Sequence, residues 1–213
     1  MDPLLIRPFT PADRQAVLAI GADTAFFGEP VERFLDDRAL FCDLFLAPYL
    51  DHDPQSCFVA EVDGETVGFI LGSHDHPGLA DRNWRRVYLQ AAWDLIKGHY
   101  RIRWQTIRYV LAAMFNAFPP APRGRYSADL HINILANMRG RGIGRRLLEV
   151  YQQHLIEGGI TGVYLHTTDQ NLNACRLYEK MGYSLLGTRK TQLWRPWLGV
   201  TVENRTYAKI LQP

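Results

Sequence analysis

The stretch from Leu130 to Leu148, LHINILANMRGRGIGRRLL, constrains this chain more than any other. Its first half alternates and is rich in β-branched residues, the pattern of a buried strand. Arg139-Gly140-Arg141-Gly142-Ile143-Gly144 follows, after which Ile143, Leu147, Leu148 and Tyr151 mark one face of a helix. A strand that turns through glycines into a helix leaves backbone N–H groups unpaired at the helix start, where the positive end of the dipole adds to them. Glycine at 142 and 144 lets the backbone approach a ligand with no Cβ in the way. Such a turn is a cradle for phosphate oxygens. Its G-x-G-x-G spacing is not the dinucleotide fingerprint, which needs G-x-G-x-x-G and a later acidic ribose partner. Nor is it a Walker A loop, since Arg145-Arg146 stand where Gly-Lys-Ser/Thr is required.

A chain of 213 residues holds one domain with a sizeable core and room for an elaboration. With 47% hydrophobic and 22% charged residues it has the composition of a soluble globular protein. The formal net charge of +2 gives no global argument for a nucleic-acid partner. Cys42, Cys57 and Cys175 are odd in number and scattered, which fits a reducing compartment and neither a disulfide framework nor a zinc site. Asp2 and Pro3 precede the first apolar residues, so no secretory signal is visible, and no apolar run reaches the ~18 residues of a spanning helix. The expectation is a cytoplasmic protein.

Read in order, Leu4–Arg7 is a short strand closed by Pro8, and Thr10-Pro11-Ala12-Asp13 starts a helix. Residues 24–30 form an unusually aromatic loop, and a helix is expected over Val31–Leu46. Asp63-Gly64 lies between Ser56–Val62 and Glu65–Gly72 as a tight hairpin turn. From 74 to 125 the period becomes helical, with a break at Gly98 and a stop at Pro119-Pro120, which reads as a helical insertion between the third and fourth strands. Its arginines and lysine (Arg82, Arg101 and Lys97 among them) outnumber Asp81 and Asp94. A basic, aromatic helical pair can face a membrane surface, an acidic partner or a second subunit, or can be a solvated lid on its own core. After the central motif come a helix ended by Gly158-Gly159, a strand at Val163–Thr168, and a helix from Asn171 to Gly182. Two last strands, at Tyr183–Leu186 and Thr206–Ile210, flank the aromatic connection Trp194-Arg195-Pro196-Trp197.

Arg-x-x-Gly-x-Gly on a strand-to-helix turn resembles the acetyl-CoA pyrophosphate loop of the GNAT acetyltransferase superfamily. Asn171 to Tyr183 is similar to its later stretch N-x-x-A-x-x-x-Y-E-x-x-G-[FY]. The two motifs stand in the family's order and at its distance, and the resemblance leaves out only about residues 74–125 and the connection around Trp194. It implies an α/β GNAT fold, a mixed twisted sheet flanked by helices, in a single domain over 1–213. It implies acetyl-CoA as cosubstrate, held at its pyrophosphate by the amides of Gly140, Arg141, Gly142, Ile143 and Gly144, with the Arg139 and Arg141 side chains near the phosphates. Backbone groups of Ile134 and Leu135 would pair with the pantetheine arm where the neighbouring strand diverges, and Asn171 and Ala174 would line the cofactor from the next helix. Tyr178 would protonate the departing thiolate. Many members carry proline where this chain has Ala136, a departure that leaves the cradle unaffected.

The chemistry of these residues is compatible with those roles. Asn171, Ala174 and Tyr178 lie on one helical stripe. A tyrosine with a pKa near 10 is protonated at neutral pH and can donate to a thiolate whose acid titrates near 8.5; without the motif the same residue reads as a core aromatic. An alkyl amine is only about 0.04% neutral at pH 7, so acyl transfer to it needs a base. Asp129, His131 and Asn133 share one face of the central strand, which makes Asp129 and His131 the candidate bases. Phe27 and Glu29 of the aromatic loop are candidate substrate-binding residues, Glu29 for a cationic acceptor. His74-Asp75-His76 lacks further ligands, so no metal is expected. The reaction expected is direct N-acetylation of a primary amine of a small molecule, peptide or protein. No nucleic-acid partner is expected, membrane contact is disfavoured, and a homodimer on the insertion is compatible with the reading. The alternative is a non-catalytic acyl-CoA-binding or regulatory module acting through the basic insertion.

Overall fold

The structure, a computed structural model, describes residues 4–74, 87, 89–114, 122 and 124–212. Its scaffold starts from the hairpin. Asp63 and Gly64 take φ of 55° and 79°, the primed turn that matches the twist of paired strands, and join β2 (Phe58–Val62) to β3 (Glu65–Ser73). On one side β2 pairs antiparallel with β1 (Leu5–Pro8), and on the other β3 pairs antiparallel with β4 (Ala128–Ile134). β4 meets β5 (Gly162–Thr168) in parallel, the only parallel junction among the described strands. β7 (Val202–Ile210) then lies between β5 and β6 (Ser184–Thr191), giving a seven-stranded mixed sheet of order β1-β2-β3-β4-β5-β7-β6.

Alternation along the strands sends side chains to two cores. Val59, Phe69 and Leu71 face α1 (Arg14–Asp23), α2 (Arg38–Phe45) and α3 (Ala47–His52) in one cluster. Phe58, Ala60 and Ile70 face the other way, into a cluster with Leu147, Leu148 and Tyr151. Between β3 and β4 the described chain is helical at 89–96 and again in α4 (Trp104–Met114), with Gly98 at φ 74° between them. The start of the first expected helix, around Trp84, lies outside the described residues, as do Pro119 and Pro120.

The single helix expected over Val31–Leu46 is not formed. A 3₁₀ turn at Val31–Arg33 is followed by a break, because Asp36 and Asp37 have other work. Asp37 caps α2 by accepting the Leu40 N–H at 2.9 Å, and Asp36 accepts the N–H groups of Arg103 and Thr106 at 3.0 and 2.8 Å. These carboxylates satisfy the open start of α4, so the break ties the second helix to the 74–125 segment. The last two strands are also longer than expected, and the Trp194 connection contains a short helix, Arg195–Leu198.

Candidate active site

β4 pairs with β3 from Asp129 opposite Ser73 to Ile134 opposite Gly68. Its register with β5 covers only Ala128–Val163 and Asp129–Tyr164. Beyond Asp129 the two parallel strands diverge, opening a gap in the middle of the sheet. The Leu135 N–H donates to the Val67 carbonyl of β3 at 3.0 Å, and alternation along an antiparallel pair therefore turns the backbone groups of Ile132 and Ile134 toward the gap. This corrects the expectation for Leu135, whose N–H is committed to β3. Ile134 does face the gap, and Ile132 joins it, two residues earlier.

At the end of β4 a 3₁₀ turn over Ala136–Met138 leads into the glycine loop. Gly140 and Gly142 both sit in the left-handed region, at φ 77° and 79°, and a Cβ on either would meet open space. Gly142 is the N-cap of α5 (Ile143–Glu157), and no side chain caps this end. The first intrahelical bond is Arg146 N–H to the Gly142 carbonyl, so the N–H groups of 143–145 precede it and project from the helix start. Together these form an uncapped, 15-residue helix whose dipole and amides face an approachable loop. Gly144 has a different reason to be glycine: a Cβ there would lie 3.0 Å from Leu177 and 3.3 Å from Ile134, so it permits close packing and not ligand approach.

The arginines divide. Arg141 is exposed at the loop. The Arg139 guanidinium turns back and donates through Nε to the Ile134 carbonyl at 3.1 Å and through Nη2 to the Gly28 carbonyl at 3.5 Å. In this structure its side chain clamps the aromatic loop to the end of β4. Arg145 pairs with Glu149 and Arg146 with the Leu4 carbonyl, both outside the loop.

The other wall of the gap is α6 (Leu172–Lys180), with Asn171 as N-cap. Its side chain makes no capping bond, and the Cys175 N–H donates to its carbonyl. Ala174, Leu177 and Tyr178 share one apolar cluster with Ile132 and Ile134, so the helical stripe and the strand edge are brought together. Tyr178 is buried, with Tyr183 and Tyr207 ring centroids at 5.8 and 5.9 Å. Burial, reinforced by Tyr183 and Cys175, pushes its pKa well above the ordinary value, so the hydroxyl holds its proton.

On the opposite face of β4, Asp129, His131 and Asn133 do project together. The Tyr49 hydroxyl donates to Asp129 Oδ2 at 2.7 Å, and the Tyr49 ring lies 5.2 Å from the His131 ring. Asn133 donates to the Thr24 hydroxyl at 2.7 Å. His131 is exposed and Asp129 is 5% exposed, so of the two candidate bases only His131 presents itself to solvent. Tyr49 is held neutral by burial and by the Asp129 carboxylate, and remains a donor to it. Sequence reasoning missed Tyr49, whose spacing on α3 shows only a core position.

Phe27 takes φ 53° and packs edge-on against Phe26 at 4.9 Å and Trp194 at 5.2 Å. Glu29 pairs with Arg33 at 2.9 Å on the exposed rim, so its carboxylate is already engaged with a cation. The aromatic loop, the Trp194 connection and α4 converge: Tyr109 lies 5.9 Å from Trp194, Trp197 Nε1 donates to Gln105, and Arg108 donates to the Pro196 carbonyl. Three segments widely separated in sequence thus form one wall beside this face. A shallow hollow of about 390 Å³ over Phe58 and the outer side of α5 lies off the gap and includes none of its residues. Among the described residues no group of three His, Cys, Asp or Glu side chains is placed to hold a metal. His74 bonds to Ser56 and Asp53, and Asp75 and His76 lie outside the described residues. Nor is any described helix long and apolar enough to cross a membrane.

The model of the Acetyltransferase (GNAT) family matches residues 22–183. Mycothiol acetyltransferase of Frankia alni is 25% identical over 194 residues, covering 89% of this chain and 45% of that protein, so the chain spans about half the length of the curated relative it matches. The solved structure of SsHAT superposes with a TM-score of 0.67 at 24% identity over 100% of both chains. Ard1 from Thermoplasma volcanium gives 0.58 at 19% identity over 99% of each, and a ribosomal-protein-alanine N-acetyltransferase from Brucella melitensis gives 0.59 at 20% over 97% of this chain and 99% of that one. At these identities the structural likeness is one of fold.

Proposed function

The chain belongs to the GNAT acetyltransferase family, an acyltransferase by that membership, and on this premise we propose that it moves the acetyl group of acetyl-CoA directly onto a primary amine of a small molecule, peptide or protein. The observation that carries the reading is the gap between β4 and β5 with the uncapped, glycine-led start of α5 at its end. In this reading the amides of Gly140 to Ile143 bind the pyrophosphate with Arg141 beside them, and Gly144 keeps the helix close to Ile134. Ile132 and the N–H of Ile134, whose carbonyl already accepts from Arg139, offer backbone groups to the pantetheine arm, and Asn171 and Ala174 line it from α6. We take residues 74–125 as an insertion within one acetyltransferase domain over 1–213, and the three buried free thiols fit a reducing cytoplasm.

Acetyl-CoA supplies an activated thioester. His131 takes the proton that the amine loses as the new C–N bond forms, with Asp129 and Tyr49 behind it. As the C–S bond breaks, Tyr178 donates a hydrogen bond to the departing sulfur and gives it its proton, which the tyrosinate regains from solvent as CoA leaves. The raised pKa of Tyr178 makes that transfer effective only if the thiolate is desolvated in the same apolar wall and gains basicity there. Cys175 is buried with its thiol on the Thr168 carbonyl, which supports a transfer that does not use this thiol as a nucleophile. Phe27 and Trp194 shape the acceptor side.

The test is acetyl transfer to a panel of small primary amines and peptide N-termini, followed by CoA release and product mass. The reading expects an acetylated amine whose formation needs enzyme and acetyl-CoA. Acetyl-CoA binding with no acetylated product across the panel would instead favour the non-catalytic module.

A further inference from the structure

The segment between β3 and β4 carries the largest departure from ordinary surface chemistry among the described residues. Leu89, Trp93 and Ile96 fall at i, i+4 and i+7 of the helical stretch 89–96 and are 72%, 55% and 76% exposed. In α4 the inner stripe is Thr106, Tyr109 and Ala113, packed toward Phe34 and Trp194. Its outer stripe is Trp104, Ile107 and Leu111, of which Trp104 is 69% exposed. A helix apolar on both faces has something to cover the second one.

The charges beside these stripes say what. Lys97, Arg101 and Arg103 are exposed, and none of the three makes an ion pair among the described residues; the Lys97 ammonium lies 5.3 Å from the Trp93 ring centroid. Among the described residues, the neighbouring carboxylates of this segment are already engaged. Asp36 and Asp37 accept the backbone N–H groups of Arg103 and Arg101, Asp43 accepts the Tyr100 hydroxyl, and Asp94 binds Gln90 and His99. The outward field is therefore cationic, set among tryptophan and isoleucine side chains. A second copy of the same face would meet it with like charge, whereas phospholipid headgroups of negative charge match it. We propose that residues 89–111 form a peripheral docking surface for an anionic phospholipid bilayer, with Trp93 and Trp104 at the headgroup level. The lack of a long apolar helix among the described residues weighs only against a spanning segment, and this proposal departs from the expectation that membrane contact is disfavoured.

The test is co-sedimentation of the full chain with vesicles of phosphatidylcholine alone and of phosphatidylcholine mixed with phosphatidylglycerol, read also by tryptophan emission. Three cations at about fivefold each predict roughly a hundredfold preference for the anionic vesicles, weakening with salt. Trp93→Glu/Trp104→Glu, both at exposed positions, keeps the fold by circular dichroism and loses at least about tenfold in vesicle binding. Absence of wild-type binding, binding indifferent to lipid charge, or binding unchanged in the double variant would overturn the proposal. So would concentration-dependent self-association abolished by the same variant, which would assign the face to a second copy. Vesicle binding needs no acetyl-CoA, so its failure leaves the catalytic reading standing, and the converse holds.

Discussion

Asp13 accepts both terminal nitrogens of Arg7 at 2.7 Å, together with the N–H and hydroxyl of Thr10, and is 6% exposed. The Arg7 guanidinium, helped by Thr10 and opposed by burial, holds the carboxyl far below its usual range. A depressed folded pKa stabilises fully above the unfolded value near 4, and the contribution is lost as pH falls through it toward the folded one. The unfolding free energy from urea titration should therefore fall by about 2 kcal/mol as the pH is taken below about 4 toward the folded value. Asp13→Asn should be weaker at pH 7 and show a shallower acid limb; equal limbs in the two proteins would refute the assignment. Tyr178→Phe should lower the acetyl-transfer rate about a hundredfold while leaving acetyl-CoA affinity within about threefold. Parallel loss of affinity would make Tyr178 a wall residue and nothing more. The stripe places Tyr178 on the helix face it shares with Ala174, but only the family resemblance marks it as more than a core aromatic. The Arg139 clamp was not legible, because its partner Gly28 is 111 residues away and loop-to-loop contacts leave no local pattern.

Among the elements, β3 and α5 meet through a single missing side chain. A Cβ on Gly72 would lie 2.0 Å from the Tyr151 hydroxyl, which donates to the Asp129 carbonyl at 2.7 Å just where β4 leaves β5. Gly72→Ala should cost about 1–3 kcal/mol in denaturant unfolding, since a fully buried ring has nowhere to shift. An unchanged midpoint would show that the contact relaxes freely. The hairpin was legible because Asp63-Gly64 fixes the turn locally, while the register shift between Ala60 and Glu61 left no such mark. The broken helix at 31–46 was not: its apolar spacing is helical, and what stops it is the demand of distant N–H groups at 101–106 for the carboxylates of Asp36 and Asp37. The β4 edge fell between these cases. Its strand was evident, but which alternate residues turn their backbone groups away from β3 depends on the β3 register, which sets Ile132 and Ile134 toward the gap and Leu135 toward β3.

For the molecule as a whole, one sheet separates two cores that meet only different halves of the chemistry. The cluster under α5 and α6 holds Ile132, Ile134 and Tyr178, and the cluster under α1 to α3 holds Tyr49, Phe26 and Trp194. The divergence of β4 from β5 is where the two faces communicate, and it follows from a pairing that stops at Asp129–Tyr164. The central claim is that this gap and the glycine loop at its end receive acetyl-CoA. Calorimetric titration of acetyl-CoA into the wild type and into Gly142→Glu tests it most directly. The substituted side chain meets nothing within 4 Å, so the variant stays folded at a cost of about 1–2 kcal/mol for its left-handed φ, while charge and bulk enter the phosphate cradle. Wild-type binding on the order of micromolar, abolished in the folded variant, is the predicted result. No binding by the wild type, or equal binding by both proteins, would contradict the account.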